Sequence, residues 1–286
     1  MRGSVRADTS DISHSLPPVA VGGVGGSGTR LVAGILQSIG IFTGSDLNSS
    51  NDTLWFTLLF KREEILYCDE DEFDFLTRML VSGLCGEAGP CEDGTISRLE
   101  ALAVADRPQH AANWLKQRVE SLTHALSVRR QMARWGWKEP NTHIVIERLW
   151  RRLPRLRYVH VVRHGIDMAY SQNQNQLHLW GKHVLGSEGE ITPRRSLAYW
   201  CSIHRRMQCL TAKNPTQSLW LDYDALCRNP KPELRKLLEF LGYSRDLADE
   251  IEIDIKVPPQ RYLDADLDEF APEDIEFVES LGYPLR

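Results

Sequence analysis

Two short segments of the chain have the residue types and the spacing of anion-binding turns. In residues 18–30 an apolar stretch runs into a glycine-rich turn that opens a helix, where backbone N–H groups can surround an anion. In residues 158–171 a second apolar stretch ends at Arg163, and Ser171 follows eight residues later. Two anion sites at the ends of two strands indicate a ligand that carries two separate phosphate groups.

The glycine-rich turn differs from the phosphate-binding loop of ATP-dependent enzymes. Gly23 and Gly28 have the GxxxxG spacing, but Thr29 and Arg30 stand where a lysine and a serine or threonine are required. The lysine that contacts the nucleotide phosphates in those enzymes is therefore absent. Taken alone, the glycines could equally serve only a tight turn between a strand and a helix.

Predicted strands and helices alternate along the chain, and this order positions both turns. Apolar runs predict strands at residues 19–21, 135–138, 158–162 and 218–223. Such alternation with helices is typical of a central parallel sheet covered on both faces, a three-layer α/β/α fold. Ligands of these sheets bind at the carboxyl ends of the strands, where both turns fall. The main predicted helices cover residues 29–39, 54–66, 111–128, 143–150 and 196–210, and a last one stops at Gly242.

The composition is that of an ordinary soluble globular protein. The 286 residues carry a net charge of −5, which gives no general case for nucleic-acid binding. No apolar segment reaches the roughly 18 residues of a membrane span, and the six cysteines lack metal-site spacing, so we expect neither a membrane span nor a metal. Residues 1–16 lack an apolar signal core and are predicted to be a flexible leader to a single cytoplasmic domain, 17–286.

Five motifs resemble, in the same order, those of the sulfotransferases, which use 3'-phosphoadenosine 5'-phosphosulfate (PAPS). The turn at 25–30 is similar to that family's loop P-[KR]-S-G-T-[TS], and residues 163–171 are similar to R-[DN]-P-x-D-x-x-x-S. Three further segments complete the resemblance: 137–140 is similar to a K-x-P strand end, 221–230 to Y-E-D-L-x-x-x-P, and 234–242 to a helix ending in F-L-G.

The resemblance implies a P-loop-like fold and a role for each matching residue. The first loop would hold the 5'-phosphosulfate, Arg163 and Ser171 the 3'-phosphate, while Lys138 faces the transferring sulfonate and Tyr223 lies near the adenine. No metal is required, and the product is adenosine 3',5'-bisphosphate (PAP). The residues that the resemblance assigns to the cofactor are Gly25, Gly26, Ser27, Gly28, Thr29, Arg30, Arg163, Ser171, Tyr223 and Arg261.

Two departures from the family pattern bear most on the site. Gly165 replaces the usual proline of the second motif, and Gly26 replaces the basic residue of the first loop. The second change matters more because that basic residue faces the sulfonate. Arg30, Lys138 or Lys61 could supply the missing charge.

Three residues are candidates for the general base that removes the acceptor proton. Several relatives place a carboxylate about twenty residues after the first loop, where this chain has Asp46 and Asp52. Other relatives place a histidine shortly after the central lysine, and His143 lies five residues past Lys138. Each also has a structural alternative: Asp46 as a turn residue, Asp52 as a helix cap, and His143 as a capping or packing residue of the helix it begins.

The sequence thus predicts an enzyme that moves a sulfonate group from PAPS to a hydroxyl or amine of a small molecule. A mainly helical insertion at about 68–134, together with a loop at 172–195, is expected to cap the acceptor, which the Gln/Asn-rich start of that loop suggests is polar and sugar-like. Two alternatives remain. One is a small-molecule kinase that uses ATP, against which the missing lysine argues. The other is a non-catalytic protein that binds PAP, which Gly26 favours.

Overall fold

The computed structural model describes residues 16–86, 94–105, 107, 109–130, 132–255 and 258–286. The predicted leader, 1–16, lies outside the described residues except for Leu16, and Cys91 lies outside them too. No helix of the described part is long and apolar enough to cross a membrane.

A four-stranded parallel sheet forms the centre of the molecule. Its strands are β1 (Val19–Gly23), β2 (Gly136–Lys138), β3 (Arg157–Val162) and β4 (Ser218–Asp222), in the spatial order β2-β1-β3-β4. All neighbouring pairs are parallel, so every strand ends at the same edge of the sheet. The predicted central parallel sheet is therefore confirmed.

Twelve α-helices are found among the described residues, and they pack on both faces of this sheet. They are α1 (Thr29–Ser38), α2 (Leu54–Phe60), α3 (Glu70–Cys85), α4 (Thr95–Val104), α5 (Ala112–Ser127), α6 (Thr142–Arg152), α7 (Gly165–Ala169), α8 (Asn175–Leu185), α9 (Pro193–Lys213), α10 (Tyr223–Arg228), α11 (Pro230–Leu241) and α12 (Pro272–Ser280).

Two hydrophobic cores follow from the alternation of side chains along the strands. Val21 and Val161 point to one face and pack against α1 and α11. Ala20 and Tyr158 point to the other face, where the larger core includes α2, α3, α5, α6 and α9. The three-layer arrangement predicted from the sequence is confirmed.

Two predicted elements differ from the structure. The helix expected at 54–66 ends at Phe60, and a separate 3₁₀ turn, Glu63–Leu66, follows it. The segment 172–195, expected to be a loop, contains the three-turn helix α8. The insertion is mainly helical in its described part, as α3, α4 and α5 show.

Three fully buried histidines lie together on the face of the sheet that carries the larger core, and of these only His143 was singled out from the sequence. The ring centroids of His143 and His160 are 6.2 Å apart, and those of His160 and His204 are 5.2 Å apart. Burial lowers the pKa values of His143 and His204 to about 3 and that of His160 well below the usual 6.5. All three imidazoles are therefore neutral in the folded protein at neutral pH.

These histidines make the fold sensitive to acid. The pKa values of these imidazoles are lower in the folded than in the unfolded state, so the unfolded chain binds more protons below about pH 6.5. The free energy of unfolding therefore decreases as the pH decreases. We expect each imidazole to lower the free energy of unfolding by about 1.4 kcal/mol per pH unit between about pH 6.5 and 4. Urea unfolding across this range measures the slope.

The control is His204→Asn, since the Asn amide can keep the hydrogen bond that His204 Nδ1 makes to the Trp200 carbonyl, 2.6 Å away. The variant should show a shallower decline of stability with acid than the unmodified protein. Equal slopes would contradict the assignment of the acid sensitivity to these imidazoles.

Candidate active site

The glycine-rich turn between β1 and α1 has a backbone that only glycine adopts easily. Gly26 and Gly28 have φ values of 94° and 93°, in the left-handed region. Gly28 is also the N-cap of α1, and a Cβ atom there would collide with the ring of Tyr223. Ser27 is completely buried, and its hydroxyl has no hydrogen-bond partner. The turn therefore offers the helix N-terminus and an unpaired hydroxyl to an anion.

The two residues of the second motif converge on this turn. Arg163, directly after β3, donates from Nη1 to the carbonyl of Gly26 at 3.3 Å. The hydroxyl of Ser171 would lie 3.5 Å from a Cβ atom at Gly26, so it faces the same point of the turn. The Nε atom of Arg163 is buried without a partner, and its Nη2 atom contacts Asp167 at 3.3 Å. Arg163 and Ser171, which lie 137 and 145 positions after Gly26 in the sequence, thus meet at Gly26 in the fold.

Arg261 joins this end of the site through Asp167. It donates from Nη1 to the Asp167 carbonyl at 3.2 Å, and the backbone N–H of Tyr262 donates to the Asp167 side chain at 3.1 Å. The aromatic ring of Tyr262 stacks on His164, with centroids 4.2 Å apart. This arrangement fixes the segment after α11 beside Arg163.

The other side of the turn carries Lys138 at the end of β2. Its side chain is 2% exposed and is ion-paired with Asp52, and Nζ also donates to the Ser50 carbonyl at 3.0 Å. Asp52 in turn accepts a hydrogen bond from the Asn48 amide at 2.7 Å. Arg30 donates to the Ser50 hydroxyl at 2.6 Å, so the segment before α2 connects both cations.

An open cleft of about 690 Å³ lies at the carboxyl edge of the sheet; Lys138 and Arg30 line it, whereas Arg163, Ser171 and Arg261 are not among its lining residues. The glycine turn forms its floor, Tyr223 lies on one side, and Lys138 and Asp52 lie on the other. Burial raises the pKa of Tyr223 to about 12, so the phenol stays neutral. The cleft is lined by Gly26, Gly28, Thr29, Arg30, Leu31, Gly34, Ile35, Ser38, Ser50, Asp52, Lys138, Pro140, Asn173, Tyr223, Glu252, Ile253 and Asp254.

The three candidate bases have different surroundings. Asp52 lines the cleft, whereas Asp46 faces α5, where its carboxylate lies 2.8 Å from Nε of Arg118. Burial raises the pKa of Asp46, and the Arg118 charge opposes this shift. His143 is fully buried, and its Nε2 atom lies 3.1 Å from the side-chain oxygen of Gln176. The structure therefore places only Asp52 of the three beside Lys138. The N-cap of α2 is Thr53 rather than Asp52.

Helix α8 contributes contacts that sequence reasoning missed. Gln176 donates to the carbonyl of Gly23 at 3.1 Å, and Trp180 donates to the Asn141 side chain at 2.7 Å. Asn141 donates to Glu139, the residue after Lys138, from its backbone N–H and its amide. Helix α8 is thus attached to the ends of both β1 and β2. The Asn and Gln residues at 172–176 were the available signal, but they indicated a loop.

Among the residues that the structure describes, no group of three or more His, Cys, Asp or Glu side chains could hold a metal ion.

Comparisons with known proteins concern the family and the fold of the chain. A model of the sulfotransferase family matches residues 17–247. The sulfotransferase domain of the curacin biosynthetic pathway has 16% identity, covers 95% of this chain and 100% of its own, and gives a TM-score of 0.50. A sulfotransferase from Alicyclobacillus acidocaldarius has 14% identity, with 93% and 96% of the two chains covered and a TM-score of 0.47. No curated protein sequence matches significantly. The chain belongs to the sulfotransferase family.

Proposed function

We propose that the protein transfers a sulfonate group from PAPS to a hydroxyl or amine of a small acceptor. The observation that carries this proposal is the meeting of Arg163 and Ser171 at Gly26, on the opposite side of the turn from Lys138. Lys138 lines the cleft, and Arg163 contacts the same glycine turn although it is not a lining residue, so a ligand that reaches both would meet a cation at each end. This suits a nucleotide with a phosphate at both its 3' and 5' positions.

Unpaired polar atoms at both ends fit such a ligand. The hydroxyl of Ser27 and the Nε atom of Arg163 are buried without partners, which is costly unless a ligand supplies an acceptor. Tyr223 lies against Gly28 at the start of α1 and offers an aromatic face to a base. PAPS, when bound, supplies the sulfonate and a bisphosphate leaving group.

The residues of the chain then position the reactants and neutralise charge. Lys138 and the backbone N–H groups of the turn would face the sulfonate and stabilise negative charge on the leaving oxygen. Asp52, which lines the same part of the cleft, would accept the proton of the acceptor. The acceptor itself would lie between the turn, α8 and the helical insertion α3–α5.

The glycine at position 26 does not leave this end without positive charge. Arg30 and Lys138 both line the cleft and both contact Ser50. Two cations therefore stand near the expected sulfonate position, and this supports a catalytic protein over a purely PAP-binding one.

Nucleotide affinity tests the proposal. We expect PAP to bind more tightly than AMP, because only PAP has a phosphate for Arg163 and Ser171. Arg163→Gln should weaken PAP binding by roughly 10- to 100-fold, the effect of losing charge-assisted hydrogen bonds, and should change AMP binding little. Isothermal titration calorimetry measures both affinities.

The matched control is Arg205→Gln, which removes the same charge from an arginine paired with Asp274 outside the cleft. It should bind both nucleotides as the unmodified protein does. Equal affinity of the unmodified protein for PAP and AMP would refute the assignment of the 3'-phosphate site.

A further inference from the structure

A buried arginine in the turn between α4 and α5 has unused hydrogen-bond donors. Arg107 is 7% exposed, and its Nη1 atom donates to the carbonyl of Thr57 at 3.2 Å. Its Nε and Nη2 atoms are buried, and neither has a hydrogen-bond partner among the described residues. Arg107 makes no ion pair with a described residue, and the Glu64 carboxylate acts on it only at longer range. A buried guanidinium that lacks a close counter-ion is unfavourable, and an anion at its free edge would relieve this cost.

The two free donors have a defined geometry. Nε–H and one Nη2–H of a guanidinium point the same way from one edge, and this edge matches two oxygens of one anion. The hydrogen bond from Nη1 to the Thr57 carbonyl restrains the orientation of the guanidinium. The free edge is therefore prepared for a bidentate contact.

Arg107 does not line the cleft, but neighbouring residues connect it to the cleft. Two residues further on, Gln109 donates to the carbonyl of Asn175 at the start of α8. Asn173, just before that helix, lines the cleft and would contact a Cβ atom at Gly25 at 3.4 Å. Arg107 also contacts α2 through the Thr57 carbonyl. This helix begins beside Lys138, because the Thr53 backbone N–H donates to the Lys138 carbonyl at 2.7 Å.

His110 lies within electrostatic range of both Lys61 and Arg107. Burial, followed by the charges of Lys61 and Arg107, lowers the pKa of His110 to about 4. His110 stacks on Trp114 with ring centroids 4.5 Å apart, and its Nε2 atom is buried without a partner. The Lys61 charge also opposes the rise in pKa that burial causes at Glu139, the neighbour of Lys138. Arg62, in contrast, is engaged with Glu72 at 3.1 Å. The region between Arg107 and Lys138 thus holds these cations together with the carboxyl groups of Glu64, Glu139 and Asp52, of which Asp52 is paired with Lys138.

We propose that the acceptor is an anion, and that Arg107 binds its negatively charged group bidentately while Lys61 and His110 assist. This inference rests on the proposed function, because it assigns the substrate class of the same site. Lys61 would bridge the anion subsite and the reacting centre. The two free donors are shielded from solvent, so neighbouring side chains must shift as the anion enters, and the resulting contact is strengthened by the low local dielectric.

Matched phenols test the charge preference on the full chain saturated with PAP, which fills both phosphate sites. The probes are 4-hydroxybenzoate and 4-hydroxybenzenesulfonate, both anionic, and the neutral 4-hydroxybenzamide. We expect at least one anion to bind about 10-fold or more tightly than the amide, as a bidentate charge-assisted contact predicts. Arg107→Met should abolish that preference without changing PAP affinity, and Arg205→Met should change neither.

Several outcomes would overturn the inference. No preference for either anion in the unmodified protein would do so, as would an unchanged preference in Arg107→Met. Loss of the preference in Lys138→Met but not in Arg107→Met would place the anion at the sulfonate position instead. If Arg107→Met does not fold, Lys61→Met must reduce the preference for the inference to stand. If the unmodified protein does not bind PAP at all, the proposed function is refuted. The same titrations measure PAP affinity separately from the preference for anions, so the two failures can be distinguished.

Discussion

Replacing Lys138 by Met is expected to lower the rate of sulfonate transfer by about 100- to 1000-fold, the effect of removing one preorganised donor from a developing negative charge. Met keeps the length of the buried side chain, so the fold should survive. PAP affinity should change far less than turnover, because the charge that Lys138 neutralises is greatest in the transition state. PAP release from PAPS in single-turnover experiments, with an acceptor that the unmodified protein sulfonates, measures the rate.

Lys138→Met also leaves Asp52 without its ion-pair partner, so a second variant separates the two effects. Lys138→Arg keeps the charge and the pairing with Asp52, and should retain more activity than the Met variant. Near-normal turnover in Lys138→Met would instead assign the neutralising charge to Arg30, which also lines the cleft.

Replacing Asp52 by Asn should cost about 100-fold or more in turnover, the usual contribution of a general base. The amide keeps the shape of the carboxylate but cannot accept the acceptor proton at neutral pH. PAP binding should remain close to normal.

Asp46→Asn is the matched control, since it makes the same change six residues away. Asp46 faces Arg118 rather than the cleft, so we expect the protein to lose stability but to keep its turnover. If Asp52→Asn is as active as the unmodified protein while His143→Gln is not, the base is the histidine.

The sheet and the glycine turn could be predicted from the sequence because their signals are local. Each strand is a short apolar run, and the helix after the turn has its own apolar face. Helix α8 was missed for a physical reason: its buried face includes Gln176, a polar residue that is satisfied only by Gly23 and His143 elsewhere in the chain. Helical periodicity of apolar residues does not reveal such a face.

The roles of the two aspartates also depend on distant partners. Asp46 and Asp52 are equally plausible in the sequence, and they differ only because Arg118 of α5 meets the first and Lys138 of β2 meets the second. Those partners are 72 and 86 residues away. Arg107 shows the same limit, because its significance comes from donors that find no hydrogen-bond partner among the described residues.

The strand order has a consequence for ligand size. β1, which leads into the glycine turn, lies between β2, which ends at Lys138, and β3, which precedes Arg163. Two strand separations of roughly 4.8 Å each place the ends of β2 and β3 about 10 Å apart. Hydrogen bonds to one shared strand hold this span constant. A ligand that contacts both cations must therefore span a fixed length. Because the backbone of the sheet sets this length, selection of ligands by their length should survive changes in the surrounding loops.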